Sequence, residues 1–126
     1  MLEPGLEATI EERVTEAMTA RALGSGDVPV LGTPAVLALA ERAACAAIDG
    51  KLDPGQTSVG ATVELSHLAP TAVGSHVTAQ ARLTAVDGRK LRFALTVSDG
   101  SGEVARGTHE RVVVDRERFL SAAIDR

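Results

Sequence analysis

Between Thr33 and Gly50 the chain carries a helical segment that is apolar round nearly its whole circumference, broken at its centre by the carboxylate of Glu41. Start and stop signals are both present. Thr33 suits the N-cap and Pro34 the first helical position, where a missing N–H is harmless, while Asp49-Gly50 ends the run. A helix with so little polar surface has to be covered, and the segments around it read as strands. Leu37, Ala38, Ala44 and Cys45, one turn either side of Glu41, offer it no partner. An unpaired charge in an apolar setting is expensive, so Glu41 must draw partners from elsewhere in the fold or be held partly protonated. Either state is what a carboxylate with a chemical task requires.

Composition narrows the classes. At 126 residues the chain reads as one domain over 1–126, small enough that an oligomeric partner would help it. A net charge of −4 with no basic block argues against nucleic acid. The single Cys45 cannot close an internal disulfide, and its place inside the apolar helix makes it a small core residue; a reducing cytoplasm fits. No signal-like run follows Met1 and no apolar run is long enough to span a bilayer, which points to a soluble protein. Phe93 and Phe119 are the only aromatic residues, so stacking platforms for bases are largely absent. No His, Cys and carboxylate spacing suggests a metal site, and no resident cofactor is expected.

Alternation supplies the strands. Leu6, Ala8, Ile10 and Val14 fit a first strand over Leu6 to Val14, followed by a possible short helix from Thr15 and a flexible Gly-Ser-Gly-Asp connection at 24–27. After the long helix, Val59, Ala61, Val63, Leu65 and His67 fall on one face of a strand. Val77, Ala79, Ala81, Leu83 and Ala85 form the next, and Leu91, Phe93, Leu95 and Val97 another across an Asp87-Gly88 hairpin. A last strand runs from about Glu103 to Val114, with a short helix after Asp115. The expected class is α+β: an antiparallel five-stranded sheet wrapped around one long central helix, with four strands after the helix in a meander. One helix covers one face only, so the sheet edges and remaining surface predict a homodimer or a dimer of dimers.

These residues carry a resemblance. The order strand, central helix, four strands resembles the hotdog fold of acyl-CoA thioesterases and hydratases. Thr33, Glu41 eight residues on and His67 a further twenty-six residues on are similar in type and spacing to the catalytic triad of the fluoroacetyl-CoA thioesterase family. Neighbouring motifs agree: Leu52-Asp53-Pro54-Gly55, Gly60, Ser66-His67-Leu68-Ala69-Pro70-Thr71 and Gly107-Thr108-His109-Glu110-Arg111. The resemblance covers about residues 31–120. It implies a thioester hydrolase acting on a short-chain acyl-CoA, with coenzyme A arriving as part of the substrate. It also implies that Arg111 contacts coenzyme A and that Gly60 allows close approach of the pantetheine arm.

The chemistry of the residues agrees with that assignment. By strand parity His67 faces the helix, so Glu41 and His67 can meet within a protomer or across an interface. Thioester hydrolysis needs attack on a carbonyl and donors for the resulting oxyanion. Glu41 would act as general base or as a nucleophile forming a mixed anhydride; His67 would orient it and pass protons; Thr33 would lend a hydroxyl hydrogen bond. Backbone N–H groups near the helix start or at Gly60 could serve the oxyanion, although Pro34 lacks an N–H where the family pattern has glycine.

Each assignment has a structural competitor. Glu41 could be a structural acid paired with an arginine such as Arg111, His67 a satisfied core histidine, Thr33 an N-cap and nothing more, Gly60 the mark of a bulge. His76 and His109 read as ordinary strand residues. The family's fluoroacetyl selectivity goes with an aromatic-rich lid before the threonine, whereas residues 15–32 hold no aromatic residue, so a different gate and acyl group are expected. The alternative function is a non-catalytic acyl-CoA or acyl-carrier-protein binding hotdog protein. A hydratase would need an Asp and His motif that is absent.

Overall fold

A computed structural model describes residues 1–126. Strand β1 (Glu7–Arg13) is followed by a 3-10 turn at Glu16–Met18 and a single-turn helix α1 (Ala20–Leu23); the long helix α2 spans Thr33–Ala47. Four strands follow, β2 (Gln56–His67), β3 (His76–Asp87), β4 (Lys90–Asp99) and β5 (Gly102–Asp115), then helix α3 (Arg116–Ile124). All ladders are antiparallel and the sheet order is β1-β3-β4-β5-β2. This is the α+β hotdog arrangement. One expectation is corrected: only β3, β4 and β5 form a meander, because the segment from Leu68 to Ser75 after β2 is too long for a tight hairpin and carries the chain across the sheet instead. β2 therefore becomes the far edge, paired with β5.

The inner face of α2 follows helical periodicity: Val36, Leu39, Ala40, Ala43, Ala44 and Ala47 are buried. Four alanines in that row let the helix lie close to β1, β3 and β4, where Leu83, Leu91, Phe93 and Leu95 fill the space above them. The outer face departs from the sequence reading. Pro34, Ala38, Cys45 and Ala46 are exposed, so Cys45 is not a core residue and α2 is covered on one side only. The N-cap is Gly32, not Thr33, and no side chain caps the helix. Glycine is required there sterically, since a Cβ at Gly32 would sit 2.9 Å from the backbone nitrogen of Ala20.

Residues 15–32 are tied down rather than flexible. Thr19 bridges Leu31, Val30 bridges Ala72, and the amides of Ala20, Leu31 and Gly32 bond to the carbonyls of Val30, Thr71 and Met18. The strap therefore delivers Thr33 from a fixed point. No helix is long and apolar enough to cross a membrane.

Three bulges reset the alternation. In β2 the register shifts between Gly60 and Thr62, leaving Ala61 as the extra residue; in β3 it shifts between Leu83 and Ala85; and in the β4–β5 ladder it shifts between Val97 and Ser98, leaving Val104 unpaired. Consequently Ser58 and Gly60 face inward together with Val63, Leu65 and His67, while Val59 pairs Val112 on the outer face and Ala85 is exposed. The parity that places His67 inward holds; its extension back to Val59 and Ala61 does not.

The loop that follows His67 is pinned from below. The buried Thr71 hydroxyl donates to Asp99 Oδ2 at 2.8 Å, and Asp99 Oδ1 accepts from the Ser101 amide at 2.8 Å. The Thr71 bond, then the Ser101 amide, hold the Asp99 carboxyl below its ordinary value of 3.8. A lowered carboxyl favours the folded state above that ordinary value, and its contribution is lost as pH falls through the lower folded one. Replacing Thr71 by valine should therefore destabilise the protein by about 1 kcal/mol near neutrality. The gap between variant and wild type should narrow in denaturant titrations taken below pH ~4, where the acid protonates. A gap that widens on acidification would contradict the pin.

Candidate functional site

The start of α2 and the end of β2 meet first. Thr33 Oγ1 and His67 Nδ1 share a hydrogen bond of 2.8 Å. Because Gly32 holds the cap position, the exposed Thr33 hydroxyl is not engaged in capping and is available to the imidazole. The other ring nitrogen, His67 Nε2, is closed off from solvent without a hydrogen-bonding partner. A buried polar atom left unmatched is unusual in a folded protein.

Two turns further along the helix a second cluster forms around Arg111. This guanidinium is only 6% exposed. Its Nε donates to Ser58 Oγ at 2.9 Å, Nη2 to the Ser58 carbonyl at 3.0 Å, and Nη1 both to Glu41 Oε2 and to His109 Nε2, each at 3.2 Å. Glu41 Oε2 lies 3.7 Å from His109 Nε2. Oε1 of Glu41 makes no hydrogen bond within the protomer, and the side chain is 38% exposed. The carboxylate thus has one oxygen held and one open. Arg111, which the resemblance assigned to coenzyme A, faces the interior with four of its five N–H groups engaged.

His109 was read as an ordinary strand residue and is not one. It is buried, its Nδ1–H donates to the Thr62 carbonyl at 2.8 Å, and its Nε2 accepts from Arg111. A carbonyl can only accept and a guanidinium can only donate, so these partners define the neutral Nδ1–H tautomer. The available signal was positional: His109 stands two residues from Arg111 on one strand, so both share the inward face. Gly60, opposite Arg111 in the ladder, completes the cluster, since a Cβ there would lie 2.6 Å from Glu41 Oε2.

The two groups are separate within one chain. Thr33 and Glu41 are eight residues apart on α2, about 12 Å along its axis. Gly60 and His67 are seven apart on β2, on the order of 20 Å. Thr33 and His67 are together, as are Glu41, Gly60 and Arg111, but Glu41 makes no bond to His67. No group of three or more His, Cys, Asp or Glu side chains is disposed to hold a metal ion.

A single-helix sheet carrying these groups on its inner face places the chain among the hotdog domains. Within them it belongs to the family described as fluoroacetyl-CoA-specific thioesterase, whose model matches residues 14–117. It is similar to the fluoroacetyl-CoA thioesterase of Streptantibioticus cattleyicolor, 38% identical over 90 residues; these span 71% of this chain and 65% of that protein, just under two thirds of its length. A crystal structure of a mutant fluoroacetyl-CoA-specific thioesterase in complex with fluoroacetate and CoA superposes with a TM-score of 0.88 at 32% identity, covering 94% of this chain and 99% of that one. A hot-dog-like protein from Thermanaerovibrio acidaminovorans gives 0.90 at 26% identity over 98% and 92% of the two chains.

Gly60 is the position where this geometry is easiest to perturb. A methyl group there meets the mobile end of Glu41 at 2.6 Å but the buried His109 ring at 3.3 Å, so the carboxylate is the group that gives way. Gly60→Ala should displace Glu41 from Arg111 while costing only about 1 kcal/mol of stability. A crystal structure of the variant with the Glu41 to Arg111 bond intact would refute this.

Proposed function

We propose that the protein is an acyl-CoA thioesterase acting on a short-chain acyl group. The observation that carries the reading is the bond between the Thr33 hydroxyl and His67, since neither group has a structural duty that would account for it. Water attacks the thioester carbonyl, the C–S bond breaks and the coenzyme A thiolate takes up a proton. Glu41, through its open Oε1, accepts the proton of the attacking water or itself forms a transient mixed anhydride that water then opens. His67 relays protons, and Thr33 donates to the developing oxyanion. Arg111 serves the carboxylate, holding Oε2 so that Oε1 is presented; Gly60 gives that carboxylate room.

Thr33 with His67 and Glu41 with Arg111 work together only if a second copy brings the halves into one site. β2 is an edge strand, exposed from Gly60 to Glu64, and the outer face of α2 carries the exposed apolar or small residues Pro34, Ala38, Cys45 and Ala46 beside the single charge of Arg42. Gly60 opens that stretch and His67 lies three residues beyond its other end. A two-fold axis through its middle, pairing β2 with β2, sets each end against the other copy's opposite end. The homodimer then contains two sites, each taking Thr33 and His67 from one chain and Glu41 from the other. The exposed, unpaired thiol of Cys45 suits a reducing compartment.

Fluoroacetyl-CoA is not the acyl-CoA favoured by this chain's residues. The strap that ends at Thr33 carries aliphatic side chains, with Leu23 and Val28 exposed, and no aromatic group to enforce a small fluorinated acyl chain.

Thiol release from a panel of acyl-CoA esters tests the activity. Glu41→Gln and His67→Ala should each lower kcat by about a hundredfold or more, and Thr33→Ser should be mild. No turnover of any thioester by the wild type would favour the acyl-CoA binding reading instead. Mixing tests the shared site: refolding Glu41→Gln with His67→Ala at equal amounts should restore about a quarter of wild-type activity, because half the dimers are mixed and each has one intact site. A triad within one protomer would give no recovery. Light scattering at micromolar concentration should find a dimer or a multiple of it; a stable folded monomer would exclude the shared site.

A further inference from the structure

We infer that His109 is a positioning residue for the hydrolytic carboxylate, an inference that rests on the thioesterase reading above. Its ring lies between the bulge of β2 and the guanidinium of β5. On one side Nδ1–H is anchored to the Thr62 carbonyl, next to the extra residue Ala61; on the other Nε2 accepts from Arg111 Nη1. The same Nη1 donates its second hydrogen to Glu41 Oε2. A guanidinium is planar, so fixing Nη1 and Nε fixes the direction of every N–H it offers. Ser58 fixes one end and His109 the other. Without the imidazole, Arg111 keeps its grip on Ser58 but loses the contact that aims Nη1 at Glu41, and the carboxylate is no longer held to one orientation.

The ring must also stay neutral to do this. A hydrogen on Nε2 as well would turn that one donor toward Arg111 Nη1 and Glu41 Oε2, 3.7 Å away, and would remove the acceptor that Arg111 uses. The ring is buried against Phe93, with centroids 6.1 Å apart, and lies beside the Arg111 guanidinium. His109 thus acts on the reaction through Arg111, without touching substrate. Activity should be sensitive to it because a reacting group displaced by about 1 Å can lose a hundredfold in rate.

Three variants and one cycle test this. His109→Asn keeps an amide within reach of the Thr62 carbonyl but is too short for Arg111, and should lower kcat by about 10- to 100-fold with KM for acyl-CoA unchanged. His109→Gln offers a carbonyl oxygen at the position of Nε2, and should recover kcat to within about fivefold of the wild type. His109→Phe preserves packing on Phe93 and should behave like His109→Asn. In the background of Arg111→Met, His109→Asn should have little further effect on kcat, since it acts through the missing group. Should His109→Phe fail to fold, the comparison of asparagine with glutamine decides. Equal kcat for those two, losses appearing in KM rather than kcat, or additive losses with Arg111→Met would each overturn the inference. Glu41→Gln is the control that separates the levels. An active Glu41→Gln overturns the hydrolytic reading and this inference with it, whereas an inactive Glu41→Gln beside a fully active His109→Asn overturns only the role of His109.

Discussion

A buried guanidinium is the constraint on which the site depends. Arg111 on β5 is almost without solvent, and a cation in that position must be matched by acceptors or it destabilises the fold by several kcal/mol. Every acceptor it finds comes from a different part of the chain: Ser58 from β2, Glu41 from α2, His109 from its own strand. The demand runs in both directions. Glu41, set in a helix that offers it no polar neighbour, acquires a counter-charge, and the sheet acquires a fixed contact with the helix on the side away from β1. Because the Glu41 side chain keeps 38% exposure, its half of the pair is screened and the bond contributes modestly to stability. Its larger effect is on direction, since one oxygen is held and the other is left open.

The same contact lies against the edge strand. The Glu41 carboxylate occupies the volume where a Cβ at Gly60 would be, so a larger residue there would push the carboxylate from its place. Immediately afterwards Ala61 is extruded as a bulge, and the reset register turns Val63, Leu65 and His67 inward. A second close approach, where the missing Cβ of Gly107 leaves room for the backbone of Glu64, keeps β2 against β5 along the next stretch. Carboxylate, glycine and bulge lie side by side, and the inward aim of His67 is a consequence of the bulge.

This is also where the sequence was legible and where it was not. The long helix, the strands and the hairpin at Asp87-Gly88 follow from period and turn chemistry, which are local. Counting backward from His67 by twos succeeds as far as Val63 and fails at Ala61, because an extra residue is inserted there opposite β5 and alternation alone does not announce it. Thr33 reads as a cap by type, yet the close approach of the Ala20 backbone demands glycine one place earlier. Arg111 has the composition of an exposed strand cation, and nothing local announces Ser58 as its acceptor. Cys45 and Ala38 carry the signature of burial and are exposed, because the sheet covers only one side of the helix.

That second face and the edge strand pose a single physical problem. An unpaired edge beside an apolar helix stripe invites association, and proteins that do not need association blunt such edges with charge, proline or short strands. Between Gly60 and Glu64 β2 has no proline and a single charge, Glu64, besides the bulge at Ala61, and Val63 is exposed at 37%. Twelve residues long, it is among the longer strands of the sheet. Retaining an edge of that kind makes sense when the surface that covers it also supplies what the site lacks. The strand that leaves Glu41 and His67 at opposite ends of one chain is the strand through which a second copy would bring them together, so the fold's exposed edge and its incomplete site have the same remedy.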